Sequence, residues 1–84
     1  MAMTKGEYRV GIDFNPSNDD MVGQIKRKAA DLIDLIETIP IEQAGEKVDY
    51  DRAVEVTRLK ALAQTEIESA AMWAVKAATK PVKA

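Results

Sequence analysis

Residues 57–80, TRLKALAQTEIESAAMWAVKAATK, form the longest stretch with a single physical signature. Val56, Leu59, Ala63, Ile67, Ala70, Ala74 and Ala77 recur at steps of three and four, the spacing that places side chains on one helical face. No Gly or Pro interrupts the run before Pro81, and most of its residues are strong helix formers. The seam thins from Leu59 and Ile67 to Ala70, Ala74 and Ala77, which lets another backbone approach closely. A seam of alanines buries little by itself, so this helix needs partners.

The second such helix lies upstream. Val22, Ile25, Ala29, Leu32, Ile36 and Ile39 keep the same spacing, widened by Ile33 and Leu35, and Pro40 stops the run. Ahead of it, Asn15-Pro16-Ser17-Asn18-Asp19-Asp20 reads as a helix start. Asn15 or Ser17 can cap the first free N–H groups, Pro16 suits a first turn, and the aspartates complement the dipole. Capping accounts for this stretch, and an anionic group at the same N–H groups is the other reading. Helix one is expected over 18–39 and helix two over 50–79, with Asp49 as its cap. The connection between them, with a turn at Gly45, suits an antiparallel pair.

From Glu7 to Phe14 the period changes to two. Tyr8, Val10, Ile12 and Phe14 alternate with Glu7, Arg9, Gly11 and Asp13, which predicts an extended arm over 7–14. A chain this short has no sheet for such an arm to join, so it is expected to lie across a helix or a neighbouring copy. The fold class is therefore all-α: an antiparallel two-helix hairpin with an extended N-terminal arm.

Eighty-four residues make one small domain over 1–84, close to the size at which a single core barely holds a chain together. There is no Cys and no His, which removes disulfides, thiolate and imidazole chemistry, and the usual zinc ligands. Self-association is the stabilising device that remains, and a homo-oligomeric helical bundle is expected. The net charge of −2 gives no bulk attraction to DNA or to an anionic membrane. No stretch reads as a signal core or a membrane span, so a cytoplasmic protein is expected. Paired carboxylates such as Asp31 with Asp34, or Glu66 with Glu68, lie on solvated helix faces and lack the cleft that shifts a catalytic pKa. Gly-rich phosphate loops, nucleophile elbows and calcium-loop spacing are missing as well. An enzyme, a metal site and a cofactor are not expected.

What remains is a set of aromatics and cations: Tyr8, Phe14 and Trp73, with Arg9, Lys26, Arg58, Lys60 and Lys76. Flat bases stack on aromatic faces, and phosphates seek Lys and Arg. Each has a plainer use too. Trp73 at helical spacing packs, Tyr8 and Phe14 pin an arm, and Lys26 beside Arg27 and Lys28 is a solvated face. On the residues alone, this is a self-associating helical hairpin with room for an anionic-ligand site between copies.

FNPSNDDMVGQIKRKAADLIDLIETIP together with RLKALAQTEIESAAMWAVKAATKP resembles the phage sponge proteins of the anti-CBASS and anti-Thoeris family, with their helical-hairpin domain. The likeness covers roughly residues 7–81, and FNPS, the IK of helix one and AAMWAVKA carry most of it. It implies a homo-oligomer, commonly a hexamer, that binds cyclic dinucleotides such as cyclic GMP-AMP between subunits. Some members also hold cyclic trinucleotides or a cyclic ADP-ribose product. Ligand is sequestered without cleavage, starving the host's immune effector. Carried over residue by residue, the resemblance gives base stacking to Tyr8, or to Phe14 in its place, and phosphate pairing to Lys26. Phe14, Asn15, Pro16 and Ser17 shape the pocket floor, Arg9 lies beside it, and Trp73 and Lys76 serve the interface or the ligand. The competing reading is a protein-interaction or assembly module, with Trp73 as an anchor against a host or virion protein.

Overall fold

A computed structural model describes residues 2–42 and 49–83. The expected turn at Gly45 falls outside these residues. Three helices follow one another: α1 (Lys5–Val10), α2 (Asp20–Glu37) and α3 (Tyr50–Ala78). No strand occurs among the described residues.

The extended arm over 7–14 is not what forms. Thr4 and Glu7 make a reciprocal capping box: the Thr4 hydroxyl accepts the Glu7 N–H at 3.1 Å, and the Glu7 carboxylate accepts the Thr4 N–H at 2.9 Å. Gly11, at φ 65°, then ends the helix in the left-handed region that only glycine enters freely. Its N–H donates to the Tyr8 carbonyl, and the Ile12 N–H to that of Glu7. Local capping pairs backbone groups that an isolated strand would leave open, so it overrides the period-two pattern.

Asp19, rather than Asn15 or Ser17, caps α2, accepting the Met21 N–H at 2.9 Å. Asn15 and Ser17 build the preceding turn instead. The Ser17 hydroxyl donates to Asn15 Oδ1 at 2.7 Å and accepts the Asp19 N–H at 3.2 Å, while Asn15 Nδ2 donates to the Asp19 carbonyl at 2.9 Å. At its far end, Lys60 Nζ covers the Glu37 and Ile39 carbonyls at 3.0 and 2.6 Å, placing a cation on the negative end of the dipole. Asp49 caps α3 by accepting the Arg52 N–H at 3.0 Å.

Helices α2 and α3 run antiparallel: Gln64 meets Ile33 while Lys60 meets Glu37. At about 1.5 Å per residue, the 29 residues of α3 outrun the 18 of α2 by about 16 Å. The buried apolar residues are Val22, Ala29, Ala30, Ile33 and Ala71, with Gly6, Lys26 and Gln64 buried among them. The contact face of each long helix is therefore rotated from the stripe its apolar spacing suggests. On α3 the line through Gln64 and Ala71 faces inward, while Leu59, Ala70 and Ala77 lie exposed. On α2 Lys26 is inside, whereas Leu32 and Leu35 are exposed at 45 and 64%, as is Ile39 just beyond the helix at 46%. The rotation follows from polar satisfaction. Gln64 Nε2 donates to the Ile33 carbonyl at 3.0 Å and to Glu37 Oε1 at 3.1 Å, and its oxygen accepts Lys5 Nζ at 3.0 Å, so its amide is buried without penalty.

The short helix α1 is fastened across both long ones by polar contacts. Lys5 pairs with Glu37 at 3.0 Å, Glu7 with Arg27 at 2.8 Å, and Arg9 with Glu68 at 2.6 Å. Between them the Gly6 N–H donates to Asp34 Oδ1 at 2.7 Å. Asp34 and Glu68, which read as solvated surface charge, thus hold α1 in place.

Candidate functional site

Where α1 turns into α2, the chain displays two exposed aromatic rings, one of them over a buried cation. Tyr8, on the outer face of α1, is 78% exposed, and Phe14, after the Gly11 turn, is 71% exposed. Rings of this size rarely stand free without a partner. Lys26 is only 8% exposed. Its Nζ donates to the Gly11 carbonyl at 3.0 Å and to the Phe14 carbonyl, and sits 5.4 Å from the centre of the Phe14 ring. No carboxylate among the described residues pairs with it. A positive charge is thereby held under the Phe14 ring, met by the Gly11 and Phe14 carbonyl dipoles.

Arg9 lies alongside but is engaged: its Nε meets Glu68 and its Nη2 donates to the Thr65 hydroxyl at 3.3 Å. The side chains of Asn15 and Ser17 are spent within their turn, and Pro16 is exposed beside them. Trp73 and Lys76 are on α3, where they line a shallow pocket of about 220 Å³ with Ser69 and Met72. Lys76 Nζ stands 5.6 Å from the Trp73 ring centre. Within one chain the sites are therefore two: Tyr8, Phe14 and Lys26 at the turn, and Trp73 with Lys76 on α3.

Residue-type reasoning missed the groups that hold the turn in position, namely Gly6, Glu7, Asp34, Gln64 and Glu68. One signal for them was present: Thr4-x-x-Glu7 is a capping-box pattern. The Glu7 carboxyl sits below its usual range, chiefly because the Thr4 backbone N–H bonds to it and then because of Arg27. Glu37 is likewise lowered, first by the Gln64 amide and then by Lys5. Arg27 is held more firmly protonated, by Glu7 first and Asp31 second.

Among the described residues no group of acidic side chains is placed to hold a metal ion, and no helix is long and apolar enough to cross a membrane. The arrangement offers stacking surfaces and positive charge, which suits binding of a flat anion. The family model of the Acb2/Tad1 hairpin domain matches residues 6–79, spanning α1, the turn and both long helices. The chain belongs to the Acb2/Tad1 family. This is the anti-CBASS and anti-Thoeris sponge family, whose members bind cyclic-nucleotide signals and are not known as enzymes. No curated protein and no solved structure matches the chain.

Proposed function

We propose that this protein sequesters cyclic dinucleotide second messengers, cyclic GMP-AMP among them, without cleaving them, and so blocks CBASS-type antiphage signalling in the host cytoplasm. The observation that carries the reading is the exposed Phe14 ring over the buried charge of Lys26, with the exposed Tyr8 on the neighbouring α1, in a chain of the sponge family. Either ring stacks a base, at about 1–3 kcal/mol each. The phosphates lie in the positive field of Lys26, with Asn15, Pro16 and Ser17 shaping the floor and Arg9 at its edge. Cyclic trinucleotides are a second guest class for the same assembly.

One copy presents these groups on an open surface, so the pocket is completed by other copies in a homo-oligomer, of hexameric size. The support is the apolar face the hairpin leaves uncovered. Leu32, Leu35, Leu59 and Leu62 are 45–64% exposed there, beside a groove of about 280 Å³ between Ile36, Ile39, Val56 and Leu59. So thin a core in each copy calls for such cover. Trp73 and Lys76 serve that interface or the ligand.

Calorimetry with a panel of cyclic di- and trinucleotides decides the matter. Sub-micromolar binding to at least one member, with intact ligand recovered after heat denaturation, is the expected result. Binding weaker than high micromolar across the panel would overturn it. The exposed Met72 and Trp73, both 67% accessible, favour a second reading as a protein-interaction module. That reading gains if a polypeptide, rather than a nucleotide, co-purifies.

A further inference from the structure

Resting on the ligand site proposed above, we infer that α1 is a strap, fastened to the hairpin by charge and able to open by itself. Closed, it presents Tyr8 to the site; open, it takes the ring away. Every buried apolar side chain among the described residues belongs to α2 or α3: Val22, Ala29, Ala30, Ile33 and Ala71. From α1 only Gly6, which has no side chain, is buried, while Val10 is half-buried and Tyr8 exposed. What holds α1 is polar. Lys5 pairs with Glu37, Glu7 with Arg27 and Arg9 with Glu68, and all six side chains keep contact with solvent. The other fastenings are hydrogen bonds from the Gly6 N–H to Asp34, from Lys5 to Gln64 and from Arg9 to Thr65. Ion pairs that touch water are screened by salt, with a Debye length of about 10 Å at 0.1 M and about 3 Å at 1 M. The apolar contacts between α2 and α3 do not depend on charge and are not screened in this way.

Nor can α1 stand alone. It has six residues, and an isolated helix shorter than about 12–15 residues is marginal in water. Letting go of the hairpin therefore unfolds it, and Tyr8 loses its position in the same step. The joint is Gly11, left-handed at φ 65°, which separates α1 from the turn leading to α2. Tyr8 thus belongs to a closing element rather than to a fixed wall. A guest that stacks on Tyr8 binds only the closed state, so it draws the strap shut by that difference in affinity.

The test is hydrogen exchange on the ligand-free protein as sodium chloride rises from about 0.05 to about 1 M. The amides of Gly6, Tyr8, Arg9 and Val10 are expected to speed up together by about 10-fold, since three exposed pairs worth about two-fold each compound. Those of Ile33 and Gln64, inside the hairpin, stay unchanged. Glu68→Gln combined with Lys5→Met removes two of the three pairs. That variant should exchange about four-fold faster in α1 at low salt, with the response to salt cut to about two-fold. Exchange in α1 that ignores salt, or Ile33 and Gln64 amides that speed up with it, overturns the strap. Saturation with the tightest-binding cyclic dinucleotide should slow exchange throughout α1 by about 10-fold or more. A bound guest that leaves α1 exchange unchanged would show that α1 does not close on the site, and overturns the inference as well. If the protein binds no member of the panel, the sponge reading fails, and the ligand-free series still decides whether charge alone holds α1 down.

Discussion

Gly6 rests directly on the backbone of Ala30. A β-carbon built on Gly6 would fall 2.1 Å from the Ala30 carbonyl oxygen and 2.8 Å from its carbonyl carbon, atoms of the α2 backbone that cannot rotate aside. No side chain fits between the helices there. That contact sets how deep α1 sits, and with it the position of Tyr8 two residues on.

Gly6→Ala therefore drives α1 off its seat. The methyl group itself favours the helix, by about 1 kcal/mol over glycine. The clash and the loss of the Gly6–Asp34 hydrogen bond oppose it, and overpacking of this kind costs about 1–3 kcal/mol. The net expectation is a small loss of global stability with a large loss of α1 protection in hydrogen exchange. Ligand affinity falls with it, because Tyr8 is no longer presented. Full protection at Tyr8 and Arg9 in the variant would show that α1 docks without this contact.

Acid should loosen the same helix. Glu7 and Glu37 both have carboxyls held below their ordinary value, so the folded state binds protons less readily than the unfolded chain. Stability from a depressed carboxyl is complete above the unfolded pKa and is lost as pH falls through the folded one. Docking of α1 is thus expected to be constant from neutral pH down to about 5, and to weaken below the usual glutamate range of about 4.3. The Gly6 amide resonance, which reports the Asp34 bond, follows this directly. A transition centred near neutrality would contradict the assignment of Glu7 and Glu37 as the fastening groups.

Gln64 joins all three helices through one amide. It receives Lys5 from α1 and donates to Ile33 and Glu37 of α2, at 1% exposure. Gln64→Leu keeps the volume but leaves Lys5 and Glu37 without that partner, at a cost of about 1–3 kcal/mol. Urea unfolding at fixed protein concentration measures it, since self-association shifts apparent stability. Glu37 should also titrate closer to its ordinary value, because its largest perturbation comes from this amide. A variant as stable as the parent would mean that apolar burial, rather than the amide, holds this junction.

The helical hairpin was legible because three-four spacing of apolar residues has one physical meaning over runs as long as α2 and α3. The start of the chain was not. Tyr8, Val10, Ile12 and Phe14 alternate as a strand would, yet Tyr8 and Phe14 end up exposed and the others half-buried, so the alternation marks no buried face. The Thr4–Glu7 box and the left-handed Gly11 decide the local structure there. The choice of inner face was hidden as well. Gln64 and Lys26 go inside because backbone carbonyls await them, and those of Lys26 lie 12 and 15 residues away in the chain. Spacing rules see no such partners. Phe14 and Lys26 meet at the turn before α2 with Tyr8 on the adjoining α1, whereas Trp73 and Lys76 lie together on α3.

The open apolar face provides the last prediction. Leu35 is 64% exposed and Leu59 50% exposed, one on each long helix, on a protein whose fully buried side chains are few. If copies cover this face, a charge placed in it meets a desolvated interface and cannot be paired. Leu35→Glu and Leu59→Glu should each shift the assembly toward monomer, while leaving helix content intact, because each side chain is half or more exposed in its own chain. Removing either leucine from a packed interface costs about 2–5 kcal/mol, before the penalty for the buried carboxylate. Sedimentation or light scattering reads the outcome as a fall toward the 9.2 kDa mass of one copy. Ligand binding should be lost in parallel if, as proposed, the pocket is completed by other copies. Parent protein that already sediments as a folded single copy, or variants that keep the parent's mass, would place the contact between copies elsewhere.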